Sequence, residues 1–178
     1  MKNQIRKTIL VLLLLLLSTT AFAGDYQFYF FGINTRFIRE AKWQYVVLGA
    51  TASVATHFAG HVLYGKTAGY DVHTTGFWKE TIYNASSSDA ANFARSGFIA
   101  QSIVGLALTS FEKSRNWDFT KGFVAMSALE IWSYPIRYGN GGGDIDLINK
   151  SGGNGEVEWA GSSVIALHNL FREAFQKS

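Results

Sequence analysis

The chain has 178 residues, no cysteine and a single proline, and 48% of its residues are hydrophobic. The absence of cysteine excludes disulfide bonds, thiolate nucleophiles and thiolate metal ligands. The formal net charge is only +3 and the basic residues are not clustered, so nothing in the sequence favours nucleic-acid binding. A chain of this length is expected to form one domain.

Residues 1–23 have the pattern of a cleavable signal peptide. Basic residues come first, an apolar run follows from Ile9 to Leu17, and Ala21-Phe22-Ala23 ends the segment. Signal peptidase cuts after small residues in this arrangement, so the protein is predicted to be exported. An uncleaved anchor is the alternative, but the apolar run is short for one. The mature chain, residues 24–178, is predicted to be a single helical membrane domain in the inner or cell membrane.

Four apolar segments with no sustained strand-like alternation follow in chain order. They cover residues 43–65, 90–111, 119–136 and 157–175. The first contains no Asp, Glu, Lys or Arg, and as a helix it would be roughly 34 Å long, enough to cross a membrane. The predicted fold is all-α, a polytopic membrane bundle of about four helices whose outer surface contacts membrane lipid. The mean hydropathy of +0.07 is low for such a bundle, which leaves a soluble, exported helical domain as the alternative.

The segment 138–155 is rich in glycine and is predicted to be a loop. It contains Asp144 and Asp146, but the spacing of a calcium-binding EF-hand loop is absent. Glu130 interrupts the third apolar segment near its middle. An ionisable residue in such a segment is a candidate functional residue, and pairing with a Lys or Arg of a neighbouring helix is the structural alternative.

The most specific feature of the sequence is the pair His57 and His61. Residues four apart lie on one face of a helix, so both imidazoles can reach one metal ion. Two buried imidazoles without partners would also cost several kcal/mol, so each is expected to have a ligand or a hydrogen-bond partner. Packing against neighbouring helices, or haem ligation, are the alternatives to a zinc site. His73 and His168 are more typical of a loop residue and an interhelical hydrogen-bonding residue.

Three elements in the right order resemble the site-2 protease family of intramembrane zinc metalloproteases. The first is His57-Phe-Ala-Gly-His61 with Lys66 and Gly69 downstream, similar to the family's His-Glu-x-Gly-His helix. The second, from Ala94 to Gln101, is similar to the Ala-Gly-Pro-x-Ala-Asn/Gln element. The third, Trp132-Ser-Tyr-Pro135 followed by Gly143-Asp144, is similar to the Asn-x-x-Pro…Asp-Gly element. Together they cover most of residues 43–150.

The resemblance implies a zinc ion held by His57, His61 and either Asp144 or Asp146. The departures from the family are equally informative. Phe58 replaces the glutamate that activates the zinc-bound water, and Phe98 and Trp132 replace the family's proline and asparagine. Without that base, proteolysis is expected to be slowed by roughly 10²- to 10⁴-fold.

Three functions remain open from the sequence. The first is a degenerate, non-proteolytic or weakly active relative that binds metal and a membrane peptide, protein or lipid. The second is a structural or scaffolding membrane protein without a metal site. The third is an active membrane metallohydrolase, zinc-dependent and metallopeptidase-like, that uses another base, for which Glu130 is the candidate.

Overall fold

A computed structural model describes residues 29–30, 33–34, 41–74, 80–137 and 143–174. The predicted signal peptide, residues 1–23, lies outside the described residues. From Lys42 onward the described residues belong to one compact unit. An antiparallel hairpin of β1 (Tyr29–Phe30) and β2 (Ile33–Asn34) lies outside that unit.

The compact unit is mostly helical, which confirms the predicted class. Its helices are α1 (Trp43–Thr67), α2 (Ser87–Ser110), α3 (Glu112–Arg115), α4 (Asp118–Arg137), α5 (Asp144–Lys150) and α6 (Gly155–Ala174). The four long helices coincide with the four predicted apolar segments. Between α1 and α2 the chain also forms a short antiparallel hairpin, β3 (Val72–Thr74) and β4 (Glu80–Ile82).

The prediction that segment 138–155 is a loop is wrong over α5. The glycines lie at the ends of this helix, while the residues between them include Ile145 and Ile148, which are three apart and both buried. Gly143 precedes the helix with φ = +103°, a conformation that glycine adopts without strain. This turn makes Asp144 the first residue of α5.

The helix α1 is packed in the opposite sense to an amphipathic helix of a soluble protein. Its buried face carries only small or polar residues, namely Gly49, Ser53, His57, Gly60, His61 and Gly65. Five of its large apolar residues are exposed, and these are Trp43, Tyr45, Val47, Leu48 and Leu63. A helix on the surface of a soluble protein places its apolar stripe against the core instead.

Small residues let the backbone of α1 approach its two neighbours closely. A Cβ atom at Gly49 would overlap the Phe119 carbonyl group of α4, and one at Gly122 of α4 would overlap the Val46 carbonyl group of α1. On the α2 side, a Cβ atom at Gly60 would overlap the backbone of Ser96. Close packing over small residues is typical of helix contacts in membranes.

The apolar core lies elsewhere, between α2, α4, α5 and α6. Its buried members are Ala94, Phe98, Val124, Ala128, Ile131, Tyr134, Ile145, Ile148, Ala166 and Leu170. The Trp159 indole of α6 packs against this cluster and donates a hydrogen bond to the Ile131 carbonyl oxygen, 2.8 Å away. The bundle therefore has an apolar core on one side and a polar interface around α1 on the other.

Among the described helices, α1 alone is long and apolar enough to cross a membrane. Its best 18-residue window has a mean hydropathy of 1.4, and only 28% of that window is buried within the protein. A core helix of a soluble protein would be mostly buried, so the low buried fraction favours the membrane interpretation of α1. By the same criterion the other three predicted spans do not qualify individually.

Candidate metal centre

His57 and His61 lie on the buried face of α1, and each residue is 3% exposed. Their Nε2 atoms are 3.0 Å apart, as expected for side chains one turn apart on a helix. Both rings therefore present the same nitrogen to the same point between α1 and α2.

Asp144 brings a carboxylate to that point from the start of α5. Its Oδ2 lies 2.9 Å from His57 Nε2, and its Oδ1 lies 3.5 Å from His61 Nε2. The Tyr134 hydroxyl of α4 donates a hydrogen bond to Oδ2 at 2.7 Å, which fixes the carboxylate. Burial alone would raise the pKa of Asp144, but hydrogen bonding and attraction to the two imidazoles outweigh it, so its pKa is lowered and it is ionised.

These three side chains have the dimensions of a metal site. A tetrahedral zinc ion with bonds of about 2.0–2.1 Å places its ligand atoms roughly 3.3 Å apart. The separations here, 2.9, 3.0 and 3.5 Å, bracket that value. Two imidazoles and one carboxylate form a donor set that suits zinc and non-haem iron(II).

The far nitrogen of each imidazole faces an oxygen. His61 Nδ1 lies 2.7 Å from the Phe93 carbonyl oxygen, which can only accept, so Nδ1 carries the proton and donates it. His57 Nδ1 lies 3.2 Å from Oε1 of Gln101 and donates to it in the same way. In the neutral form of either ring, Nε2 is then an unprotonated acceptor.

When both rings are neutral, three acceptors converge without a donor among them. Two imidazole lone pairs and an ionised carboxylate repel one another unless a positive charge lies between them. That charge can be a metal ion, or a proton carried on His57 Nε2. Metal-binding histidines usually donate the second ring N–H to a carbonyl or carboxylate oxygen, and both of these histidines do so.

Gly97 of α2 faces the point where the ligand atoms meet. A Cβ atom there would lie 2.7 Å from His57 Nε2 and 2.7 Å from His61 Nε2. Glycine is required at this position because any side chain would press on both imidazoles. Gly97 lies in the second family-like element of the sequence, but the resemblance alone does not explain why a glycine is needed there.

The structure separates the two aspartates that the sequence left as alternatives. Asp144 joins the histidines, whereas the carboxylate of Asp146 forms an ion pair with Lys150 at 2.6 Å. Within the described residues, His57, His61 and Asp144 are the group of His and acidic side chains arranged to share a metal ion. His73 and His168 are exposed and belong to no such group.

Glu130 lies near the site but on the far side of His57. Its Oε1 is 3.8 Å from His57 Nδ1, and its Oε2 accepts a hydrogen bond from Gln101 at 2.8 Å. A base that activates a metal-bound water must lie on the Nε2 side, where the metal would be. This position does not support the expectation that Glu130 replaces the missing glutamate.

Two neighbours of the site were not predicted to take part in it. Tyr134 holds Asp144, and Ser53 holds Gln101. Tyr134 lies within the third family-like element, whereas Ser53 had no signal in the sequence. Tyrosine and serine are common residues, and their role depends on how three helices rotate against each other. Gln101 belonged to the second family-like element, which could have marked it as a site residue.

Comparison with known proteins gives no match: no family model, no curated protein and no solved structure is similar to this chain. The functional argument therefore rests on the chemistry of the site.

Proposed function

We propose that this protein binds one divalent transition-metal ion, zinc foremost, within a membrane-embedded helical bundle. His57, His61 and Asp144 would be the ligands. The observation that carries the proposal is the convergence of their three acceptor atoms, with both imidazoles oriented by oxygen acceptors behind them. Three protein ligands leave a coordination position for water or for a group of a bound molecule.

Membrane insertion is supported by where the apolar residues lie. The exposed apolar side chains of α1 would face lipid, and its histidines would face the interior of the bundle. The other long helices also expose large apolar residues, which are Ile99, Ile103, Leu129, Val157 and Val164. Ionisable residues in a membrane protein usually face the bundle interior and mark a functional site. In the proposed insertion, His57 and His61 would follow this rule.

The proposed activity is that of a non-proteolytic or weakly active relative of the site-2 proteases. Phe58 stands where that family has its base, and Glu130 lies on the opposite edge of His57. A metal ion would still polarise a bound water or carbonyl group, but within the described residues the carboxylate that contacts the two Nε2 atoms is that of Asp144, which would itself be a ligand. The site would therefore bind a membrane peptide, protein or lipid more readily than it would cleave one.

A scaffolding protein without a metal is the second candidate, and one distance favours it. His57 Nε2 and Asp144 Oδ2 are 2.9 Å apart, which suits a protonated imidazole that donates to the carboxylate. In that case the cluster would be a buried ion pair that joins α1 to α5.

The test is the metal content of the detergent-purified protein, measured by elemental analysis for the wild type, Asp144→Asn and Asp146→Asn. The two variants remove one carboxylate each from the same helix, α5. About one metal per chain is expected in the wild type and in Asp146→Asn, with a large loss in Asp144→Asn. If none of the three proteins contains metal and all three are folded, the metal site is refuted and the scaffolding function is the one that stands. The identity of the metal distinguishes zinc from iron(II).

Restoring the missing base tests the proposed relation to a protease. Phe58→Glu places a carboxylate next to His57, and Phe58→Gln is the matched control without a charge. Cleavage of membrane-embedded test peptides should rise by roughly 10²-fold or more in Phe58→Glu only. If the metal-loaded Phe58→Glu protein remains inactive, the protease-like part of the proposal fails while the metal site stands.

A further inference from the structure

Gln101 of α2 is a fully buried amide that lies between His57 of α1 and Glu130 of α4. Its side chain is 0% exposed, so each of its polar atoms depends on protein partners. Its Oε1 lies 3.2 Å from His57 Nδ1. Its Nε2 lies 2.8 Å from Glu130 Oε2, 3.0 Å from Ser53 Oγ and 3.2 Å from the Ser53 carbonyl oxygen.

The partners of Nε2 determine which way this amide points. The Ser53 carbonyl oxygen can only accept, so the NH₂ group of Gln101 must face Ser53, and the same orientation places it against Glu130. Its oxygen is then left facing His57. A flipped amide would place its oxygen against the Ser53 carbonyl oxygen and leave that buried acceptor unpaired, which costs several kcal/mol.

The orientation of the amide in turn determines the tautomer of His57. With Oε1 as the nearest acceptor at Nδ1, and a Glu130 oxygen 3.8 Å away, the neutral ring carries its proton on Nδ1 and leaves the Nε2 lone pair available to a metal. With the amide flipped, Nδ1 would accept and the proton would move to Nε2. It would then point at His61 and Asp144 and exclude a metal ion.

We propose that Gln101, held by Glu130 and Ser53, is the positioning residue that commits His57 to metal binding. The proposal rests on the metal site described above and gives Glu130 a role other than that of a base. It explains why an ionisable residue lies in the middle of α4 without touching the ligand nitrogens that face the metal. Glu130 would affect metal binding indirectly, because it holds the Gln101 amide that orients the His57 imidazole.

The first measurement is the tautomer of His57 in the wild-type protein, by long-range ¹H–¹⁵N spectra of labelled imidazoles with and without cadmium-113. Coupling of the metal to Nε2, with a proton on Nδ1, is expected. Coupling to Nδ1, or a proton on Nε2 in the neutral metal-free ring, would overturn the inference. This measurement needs no variant, so it does not depend on the folding of one.

The second measurement is zinc affinity, by competition with a chelator, in Gln101→Met, Gln101→Glu and Asn169→Leu. Gln101→Met keeps the volume but removes the acceptor for His57 Nδ1–H, so a 10- to 100-fold loss of affinity is expected. Gln101→Glu supplies a carboxyl oxygen to Nδ1 and can share a proton with Glu130, so affinity should stay within about threefold of wild type. Asn169 is a buried amide of α6 that accepts a hydrogen bond from Thr109 at 3.1 Å, and its loss should leave zinc affinity unchanged.

The outcomes separate this inference from the proposed function. A wild type that binds no zinc would refute the metal site itself. A wild type that binds zinc, beside a Gln101→Met protein that binds it equally well, would refute only the positioning role. Equal losses in Gln101→Met and Asn169→Leu would show that any missing buried amide loosens the bundle, and this would also overturn the inference.

Discussion

Replacing Gly97 by alanine adds one methyl group at the point where the two imidazoles meet. The Cβ atom would lie 2.7 Å from Nε2 of His57 and of His61. Non-bonded carbon atoms settle at roughly 3.5 Å, so the methyl group and the rings would have to separate by about 0.8 Å. Both rings are buried and hydrogen-bonded at Nδ1, so they cannot move freely to make room.

A displacement of this size exceeds what a metal site tolerates. Ligand distances of bound metals hold to within about 0.2 Å, so moving both nitrogens by several tenths of an ångström should weaken binding at least about tenfold. The effect on folding is smaller. Overpacking costs about 1–3 kcal/mol, and the change from glycine to alanine within a helix returns about 0.5–1 kcal/mol.

Gly161→Ala is the matched control, because it also places alanine within a helix. Nothing lies within 4 Å of a Cβ atom at Gly161, so this variant should be slightly stabilised and bind metal as the wild type does. The assays are zinc affinity by chelator competition and thermal unfolding of the metal-free protein in detergent. A Gly97→Ala protein with unchanged affinity would show that the imidazoles do not converge beside Gly97, and the geometry of the site would be wrong.

Three further predictions concern pH. Because protons compete with the metal for His57 and His61, acidification should release the metal with a slope approaching about two protons per ion, and a slope near zero would contradict imidazole ligation. Burial raises the pKa of Glu80, an effect that the nearby His61 partly offsets, so stability from its protonated form is present in acid and lost as pH rises through the folded-state pKa. Glu80→Gln should therefore raise the melting temperature at pH 7 and have no effect in acid. The gain in the free energy of unfolding at pH 7 should be less than about 1 kcal/mol after solvent screening. Hydrogen bonds from Ser86, and from two tyrosine hydroxyls, lower the pKa of Asp89. Asp89→Asn should therefore lower the melting temperature at neutral pH but not in acid. The control, Asp71→Asn at an exposed position, should leave the melting temperature unchanged at both pH values.

The helices and the histidine pair could be predicted because their signals are local. Apolar segments of helical length define the four long helices, and a spacing of four residues places His57 and His61 on one face. The start of α2 also depends on local contacts, since the Ser86 hydroxyl at its N-cap accepts a hydrogen bond from the Asp89 N–H.

The third ligand and its surroundings could not be predicted, because they depend on contacts between distant parts of the chain. Choosing Asp144 over Asp146 requires knowing that α5 begins at Asp144, and the surrounding glycines obscured that helix. The side of His57 on which Glu130 lies depends on the rotation of α4 against α1. The hairpin β3–β4 is only three residues per strand, too short for alternation to be recognised.

The polar interface around α1 is better explained by function than by stability. Between α2, α4, α5 and α6 the bundle is held by an apolar cluster with a few hydrogen bonds beside it. On the α1 side, the chain instead buries two imidazoles, an amide and a serine hydroxyl, each of which needs a partner to avoid a desolvation penalty. Such departures from simple packing are expected where a site requires them. Here the departures share one arrangement, in which small residues bring three helices together and His57 Nε2 faces His61 and Asp144.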